Sequence, residues 1–197
     1  MQNQLNALYV SIQQWLPLND ALWNDLQRRL PYRTYQKRDA FVEEGNLSRE
    51  IAFVTKGSFR YYKDMDGVEA TTYFSFENDW ISAYSSFLRQ ASSPATIEAM
   101  EPAEALTLSY EDMQVLYQQH PLFERFGRLI AEQLLTCFED RMASLLLKTP
   151  EERYEKTLRD NRIYFERVPQ HYIASYLGIR PESLSRLRNR VMHKAIS

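Results

Sequence analysis

The stretch at positions 168–193, VPQHYIASYLGIRPESLSRLRNRVMH, decides how the C-terminal end of the chain folds. Apolar residues recur at helical spacing in its first half, namely Ile173, Ala174 and Leu177. Gly178 then supplies a residue that turns the chain with a positive φ, and Ile179 fills the turn. Pro181 suits the first position of a second helix, because its missing N–H would have no partner there. The pattern predicts two short helices joined by a tight turn.

The second of these helices has one apolar and one polar face. Its apolar stripe consists of residues at i, i+3 and i+7, namely Leu184, Leu187 and Val191. At 100° per residue, the opposite face carries Glu182, Arg186, Asn189 and His193. Arginine can bond bidentately to guanine, asparagine to adenine, and glutamate can accept from cytosine. The geometry predicts a helix-turn-helix whose helix 181–193 enters the DNA major groove; a helical hairpin with a solvated polar face is the alternative.

The length and charge distribution of the chain limit its number of domains and the kind of partner that it binds. Its 197 residues are enough for a sizeable core and for two small domains. The formal net charge is −2, but positions 148–197 hold 11 Lys and Arg against 6 Asp and Glu, whereas the other 147 residues hold 13 against 20. A basic end on an acidic body is typical of a regulator that touches DNA with one domain, although a solvated basic surface would give the same count.

Several classes of protein are excluded by what the sequence lacks. There is no run of 18 apolar residues and no signal peptide, so we expect a cytoplasmic protein without a membrane span. The single cysteine, Cys137, builds neither a disulfide nor a metal site, and no metal or cofactor site is identified. The three histidines lie outside the β region described below, which argues against a cupin-like metal enzyme. No nucleophile elbow, phosphate loop or nucleotide-binding glycine motif occurs, so we expect no enzyme.

The chain upstream of the opening stretch is predicted to be α+β. A first helix ends at Pro17, and a second runs from about Asn19 to Leu30. Residues from about 32 to 109 are predicted to form an antiparallel β-sandwich or roll with a hairpin at Asp66-Gly67. The predicted core of the roll consists of Phe41, Ile51, Phe53, Phe59, Tyr61, Tyr73, Phe76 and Ile97.

A long helix follows the roll. Ser109 caps a short helix, and Pro121 opens the long one, which has more apolar surface than the roll alone would cover. We therefore expect it to pair with its copy in a coiled-coil-like dimer, burial against its own roll being the alternative. The predicted seam is Phe123, Phe126, Ile130, Leu134 and Cys137. Thr149-Pro150 breaks this helix, which divides the chain into a sensor domain at 1–120, a dimerisation helix at 121–148 and a DNA-binding domain at 149–197.

The order of roll, long helix and C-terminal helix-turn-helix resembles the Crp/Fnr family of bacterial transcription regulators. The sharpest match is IASYLGI at 173–179 followed by PESLSR at 181–186; weaker ones are Lys56-Gly57 and NDWI at 78–81. The resemblance implies a cyclic-nucleotide-binding-like β-roll of the jelly-roll (double-stranded β-helix) type and a winged helix-turn-helix. It also implies a homodimer that binds a roughly palindromic operator in double-stranded DNA and acts on RNA polymerase.

The resemblance also assigns residues to DNA. Glu182 and Arg186 match the residues with which the family's recognition helix reads bases, and we add Asn189 from its place on the same face. Pro181 departs from the arginine of cyclic-AMP-responsive relatives, so the half-site should differ from theirs. Arg180 is a poor N-cap, so we expect its charge to point at a phosphate. The other predicted phosphate contacts are Gln170, Ser183, Ser185, Arg190 and Lys194.

The ligand cassette of the family is altered in this chain. Where cyclic-AMP-binding members have a Gly-Glu and an Arg-Ser pair, this sequence has Ser82-Ala83 and Ser93-Pro94. Without a charged group for the cyclic phosphate, we expect no cyclic AMP binding in the family's way. A pocket for a less polar, unidentified effector could be lined by aromatic residues, which could equally be core: Tyr73, Trp80, Tyr84 and Phe87. A ligand-binding roll whose helix-turn-helix meets only protein is the alternative function.

Overall fold

Two helices open the chain, as the apolar spacing predicts. The computed structural model describes the backbone of residues 2–194 and the side chains of residues 2–190. Helix α1 spans Gln2–Gln13 and α2 spans Asp20–Arg28. The Asn19 side chain accepts a hydrogen bond from the Leu22 amide at 2.8 Å, which caps α2 and confirms the predicted start of this helix.

Eight strands form the predicted roll. They are β1 (Tyr32–Tyr35), β2 (Ala40–Val42), β3 (Glu50–Lys56), β4 (Phe59–Met65), β5 (Val68–Ser75), β6 (Trp80–Ile81), β7 (Thr96–Ala99) and β8 (Ala103–Ser109). One sheet has the order β1-β8-β3-β6 and the other β2-β7-β4-β5. Asp66 and Gly67 both have positive φ, 55° and 85°, and connect β4 to β5 in the predicted two-residue hairpin. The α+β class and the β-roll are confirmed.

The first sheet buries both of its faces. Strand β6 shows the alternation, because Trp80 packs toward the helices while Ile81 belongs to the interior of the roll. The helix-facing core contains Phe53, Phe87, Leu106 and Leu108 together with residues of α1 and α2. The roll interior is built around Phe59 and Ile97, and small side chains fill it: Ala52, Ala99, Ala103 and Ala105.

Gly57, in the Lys56-Gly57 pair, has a physical reason to be glycine. Its φ is +84°, and a Cβ added there would lie 2.7 Å from the Cβ of Ala103. A side chain would therefore be strained and would clash with β8.

Six further helices complete the described chain after α3 (Tyr84–Arg89). They are α4 (Tyr110–Gln119), α5 (Pro121–Leu147), α6 (Pro150–Asp160), α7 (Arg162–Arg167), α8 (Gln170–Leu177) and α9 (Pro181–Lys194). Ser109 caps α4, and Thr149 and Glu152 form a capping box at the start of α6, so the predicted break between the long helix and α6 is confirmed. Residues 110–194 contain no strand, so the wing that we predicted is not formed by them. The segment before α8 is the helix α7, whose buried Tyr164 and buried C-cap residue Val168 are four residues apart, which is helical spacing.

The chain forms two compact units. Unit 1 comprises Met1–Tyr61 and Phe74–Leu134, and unit 2 comprises Tyr62–Tyr73 and Leu135–Ser197. Strands β4 and β5 and helix α5 each contribute residues to both units. The functional division at residues 120 and 148 stays a prediction.

Candidate nucleic-acid interface

The turn between α8 and α9 has the predicted geometry. Gly178 adopts the left-handed conformation, with φ 67° and ψ 37°. The Ile179 amide donates to the Ala174 carbonyl at 3.0 Å, and the Gly178 amide donates to the Ser175 carbonyl at 3.0 Å. These two bonds close the end of α8 in a Schellman-type motif, which sets the direction in which the chain enters α9.

The two helices are held by a small apolar core. Ile173, Ala174 and Leu177 of α8 are buried, as are Leu184 and Leu187 of α9. The predicted apolar faces are therefore confirmed for these five residues. The side chains of Val191 and His193 lie outside the described residues.

The predicted base-reading side chains lie together on the open face of α9. Glu182, Arg186 and Asn189 are all exposed, and at 100° per residue they fall within an arc of about 60°. Among the described residues Arg186 makes one hydrogen bond, at 3.3 Å to the Ser183 hydroxyl, and its side chain is otherwise exposed.

The predicted phosphate contacts surround this arc, although two of them need comment. Gln170, Arg180 and Ser185 are exposed, and Ser183 is half-buried. Arg190 forms an ion pair with Glu151 of α6 at 3.3 Å, so it would have to leave that partner to reach a phosphate. The side chain of Lys194 lies outside the described residues.

Two arginines that the sequence reading missed hold the C-terminal end of α8. Arg153 is 8% exposed and donates to the carbonyls of Leu177 at 3.0 Å and Lys148 at 2.6 Å. Arg141 donates to the Tyr176 carbonyl, and its guanidinium lies 3.7 Å from the centre of the Tyr176 ring. Both satisfy carbonyls that the end of a helix leaves without partners. Polar residues at helical spacing are usually solvated, so no local signal marks Arg153 as buried or Arg141 as half-buried.

The tip of the β4–β5 hairpin is also part of unit 2. The Ser175 hydroxyl accepts from the Thr71 amide and donates to the Glu69 carbonyl, both at 2.9 Å. A single hydroxyl of α8 thus binds two backbone groups of the hairpin.

The predicted dimer seam needs a correction. Phe123 and Phe126 are 2% and 4% exposed and lie in the helix-facing core of unit 1, with Ile130 packed against it. The N-terminal part of α5 is therefore buried by its own unit, which was the alternative. Leu134 and Cys137 are half-buried. Farther along α5, large apolar side chains are exposed at spacings of three and four residues: Leu135, Phe138, Met142 and Leu145.

The predicted aromatic pocket is wrong as a set. Trp80, Tyr84 and Phe87 belong to the helix-facing core of unit 1, where Trp80 meets Phe126 at 5.9 Å between ring centroids. Sheet alternation turns Trp80 away from the roll interior, and Tyr73 belongs to unit 2. Trp80, Tyr84 and Phe87 are therefore core, which was the alternative, whereas Tyr73 lines a polar pocket within unit 2.

The cassette positions carry no buried cation. The Ser93 hydroxyl already donates to the Ala95 carbonyl at 2.6 Å, and Ala83 packs into the roll interior. A buried charge that the sequence reading missed lies on β4, where Arg60 is 1% exposed and donates to Glu98 at 3.4 Å.

Comparison with known proteins now defines the class of the chain. A family model of the cyclic nucleotide-binding domain matches residues 32–120, which are the roll and α4. A search of curated protein sequences found no significant match. No helix among the described residues is long and apolar enough to cross a membrane.

Solved structures share the fold over most of the chain. FixK2 from Bradyrhizobium japonicum is 19% identical, with a TM-score of 0.71, 85% of this chain covered and 86% of that one. The c-di-GMP-responsive global regulator CLP of Xanthomonas campestris is 16% identical, with a TM-score of 0.70 and coverage of 90% and 93%. A putative transcriptional regulator of the Crp/Fnr family from Eubacterium rectale is 17% identical, with a TM-score of 0.69 and coverage of 90% and 85%.

The chain is thus a cyclic-nucleotide-binding-type β-roll followed by a long helix and a helix-turn-helix. At these identities the likeness establishes the fold, so the predicted resemblance to the Crp/Fnr family is confirmed at the level of the fold.

Proposed function

We propose that this protein is a sequence-specific DNA-binding transcription regulator of the Crp/Fnr type, with α9 as its recognition helix. The observation that supports this most is the exposed arc of Glu182, Arg186 and Asn189 on a helix whose other face is anchored by Leu184 and Leu187. Their donor and acceptor groups match base edges in the major groove. Such a regulator would act on chromosomal DNA in the cytoplasm, through contact with RNA polymerase.

A matched pair of arginines tests base reading. Arg186 and Arg188 are both exposed on α9, but they lie about 160° apart around the helix, and Arg188 borders the apolar stripe. Arg186→Ala should weaken binding to a selected operator by about 1–3 kcal/mol and relax the preference at one base pair. Arg188→Ala should leave that preference unchanged. Fluorescence anisotropy on duplexes with single base-pair changes measures both variants.

The same measurements distinguish base reading by α9 from the alternative function, in which the helix-turn-helix contacts only protein. Equal affinity and equal base preference of Arg186→Ala and the wild type would contradict base reading by α9. No salt-dependent affinity for any duplex would favour a helix-turn-helix that meets only protein, because phosphate contacts make DNA affinity fall steeply with salt.

The proposed regulator is a homodimer that pairs through the second half of α5. Leu135, Phe138 and Met142 are about 60% exposed and Leu145 is 44% exposed, and their spacing of three, four and three residues is that of positions a and d in a heptad. A second copy would cover this row. Two recognition helices set about 34 Å apart would then read two half-sites of a palindromic operator.

A charge in this row tests the dimer. Phe138→Glu places a carboxylate in the proposed seam and should weaken dimerisation about a hundredfold, as measured by sedimentation velocity over a concentration series. Leu88→Glu, on another exposed apolar side chain, is the control and should leave the dimer intact. A wild type that stays monomeric at high micromolar concentration would contradict the dimer.

The proposed regulator does not use cyclic AMP in the family's usual way. Ser93 and Ala83 stand at the cassette positions, and burying a cyclic phosphate without a cation there is costly. Saturating cyclic AMP should therefore leave operator affinity within twofold of its value without the nucleotide. A larger change would overturn this part of the proposal.

A further inference from the structure

A polar pocket lies within unit 2, and none of the residues that line it belongs to α9. Its volume is about 160 Å³, and it is lined by the second half of α5 and by α6, α7, α8 and the end of the hairpin. The lining is rich in hydrogen-bonding groups, unlike the dry apolar cavity of roughly 150 Å³ that holds benzene. A polar ligand of that size would fill it.

The chemistry of the pocket is set by Arg141. Burial lowers the pKa of Arg141 below the ordinary value of an arginine, and the charge of nearby Arg153 acts in the same direction. Its Nε is buried and has no hydrogen-bond partner, while Nη2 is bound to the Tyr176 carbonyl. Within the described part of the chain, no carboxylate pairs with Arg141. Arg141 is half-buried, so its charge is partly removed from water without a paired carboxylate, and a bound anion would reduce the cost of this desolvation.

Other lining groups favour the same ligand. Lys156 adds a second positive charge, which it shares with Asp160 at 2.6 Å. Ser144 and Asn161 supply neutral donors. Asp140 also lines the pocket; its negative charge opposes an anion, and it can accept a hydrogen bond from a hydroxyl of the ligand. A guanidinium with unused donors binds carboxylate and phosphate groups well, because its planar fork matches two oxygens.

We propose that this pocket is a binding site for a compact anion that carries a carboxylate or a phosphate group. Such a ligand would touch α8 through Arg141 and Tyr176, and would therefore be in contact with the first helix of the helix-turn-helix. Its role as an effector of DNA binding rests on the proposed function; its binding does not.

Calorimetry on the full chain without DNA tests the site. Inorganic phosphate is the probe in one arm and lactate, a six-atom hydroxy carboxylate, in the other, both at constant ionic strength set with chloride. At least one of them should bind saturably with one site per chain. Preference for one arm identifies the anionic group that the pocket takes.

Three variants connect the binding to the pocket. Arg141→Met should weaken the binding of the better probe at least tenfold, and Lys156→Gln, a milder change at a partly exposed lining residue, should weaken it about threefold. Arg128→Met, on the same helix with an exposed arginine paired to Glu132, should stay within twofold of the wild type. Because Arg141→Met also removes a bond to α8, the Lys156 variant keeps the test valid if that protein is poorly folded.

The proposal is overturned if neither probe binds saturably, or if the Arg141 and Lys156 variants both bind as the wild type does. An equal loss in Arg128→Met would mean non-specific ion binding and would overturn it as well. None of these results bears on base reading, since no DNA is present in the experiment.

Discussion

Buried and half-buried arginines are held in different ways in the two units. In unit 1, Arg60 is 1% exposed and is paired with a carboxylate, that of Glu98. In unit 2, Arg141 and Arg153 donate to backbone carbonyls at the end of α8, and no carboxylate among the described residues pairs with either. Unit 1 thus neutralises its buried charge internally, whereas unit 2 retains positive charge near the surfaces that we propose to meet anions. This difference agrees with our proposal that unit 2 binds anions, whereas the Arg60–Glu98 pair is a structural contact of unit 1.

The largest loss of stability is expected when the Arg60–Glu98 ion pair is broken. Arg60→Met removes the cation that neutralises Glu98 on the side of β4 opposite to Phe59 and should cost about 3–5 kcal/mol of unfolding free energy. The three tryptophans, Trp15, Trp23 and Trp80, all belong to unit 1, so urea unfolding followed by tryptophan fluorescence measures its stability. The double variant Arg60→Met, Glu98→Gln should recover part of the loss, and no recovery would show that the pair itself is not the cause.

A smaller loss is expected in unit 2. Arg153→Met removes hydrogen bonds to two carbonyls, those of Leu177 and Lys148, and should cost about 2–3 kcal/mol of unfolding free energy. The cost is smaller than for Arg60→Met because the groups left without a donor are neutral carbonyls, not a charged carboxylate. Far-UV circular dichroism should report this loss at a lower urea concentration than tryptophan fluorescence does. Operator affinity should fall as well, since α8 positions α9. A loss as large as that of Arg60→Met would erase the difference between the units.

The smallest effect concerns pH. Burial alone would raise the pKa of Asp25, but hydrogen bonds from His120, Arg28 and Arg29 outweigh it and hold that pKa below the usual 3.8. A lowered carboxyl pKa adds stability above the unfolded value, and this stability is lost as the pH falls through the folded value. Asp25→Asn should therefore cost about 1–2 kcal/mol at pH 7 and progressively less below about pH 4.

Tryptophan fluorescence in urea at pH 7 and pH 3 measures this change, with Asp64→Asn on the exposed hairpin as the control. A cost that is the same at both pH values would contradict a role for the charge of Asp25. Such a result would mean that the stability of unit 1 does not depend on the charge of Asp25 and its bonded partners.

Local sequence patterns were enough to predict the turns, the helix caps and the order of the helices and strands. Gly178 and the Asp66-Gly67 pair need positive φ, and the caps at Asn19 and Ser109 act over three residues, so each could be read from its neighbours. The limits of the roll and the start of the long helix followed from the same signals. The exposed face of α9 could be predicted because its apolar stripe defines the opposite side.

The interior charges could not be read in this way. Arg60 alternates with Phe59 and Tyr61, which places it on the other side of β4, where it is buried and donates to Glu98, 38 residues later in the sequence. Phe123 and Phe126 had the spacing of a dimer seam, but contacts with α4 and the first sheet bury them instead. Periodicity shows that a face is apolar; which partner covers it depends on contacts distant in sequence.

Selection of bound sequences from a random duplex pool tests the central claim most directly. If α9 reads bases in a dimer, the wild type should enrich an inverted repeat with half-site centres about one DNA turn apart, and Arg186→Ala should enrich a repeat with one relaxed position in each half. Failure of the wild type to enrich any inverted repeat would contradict the claim.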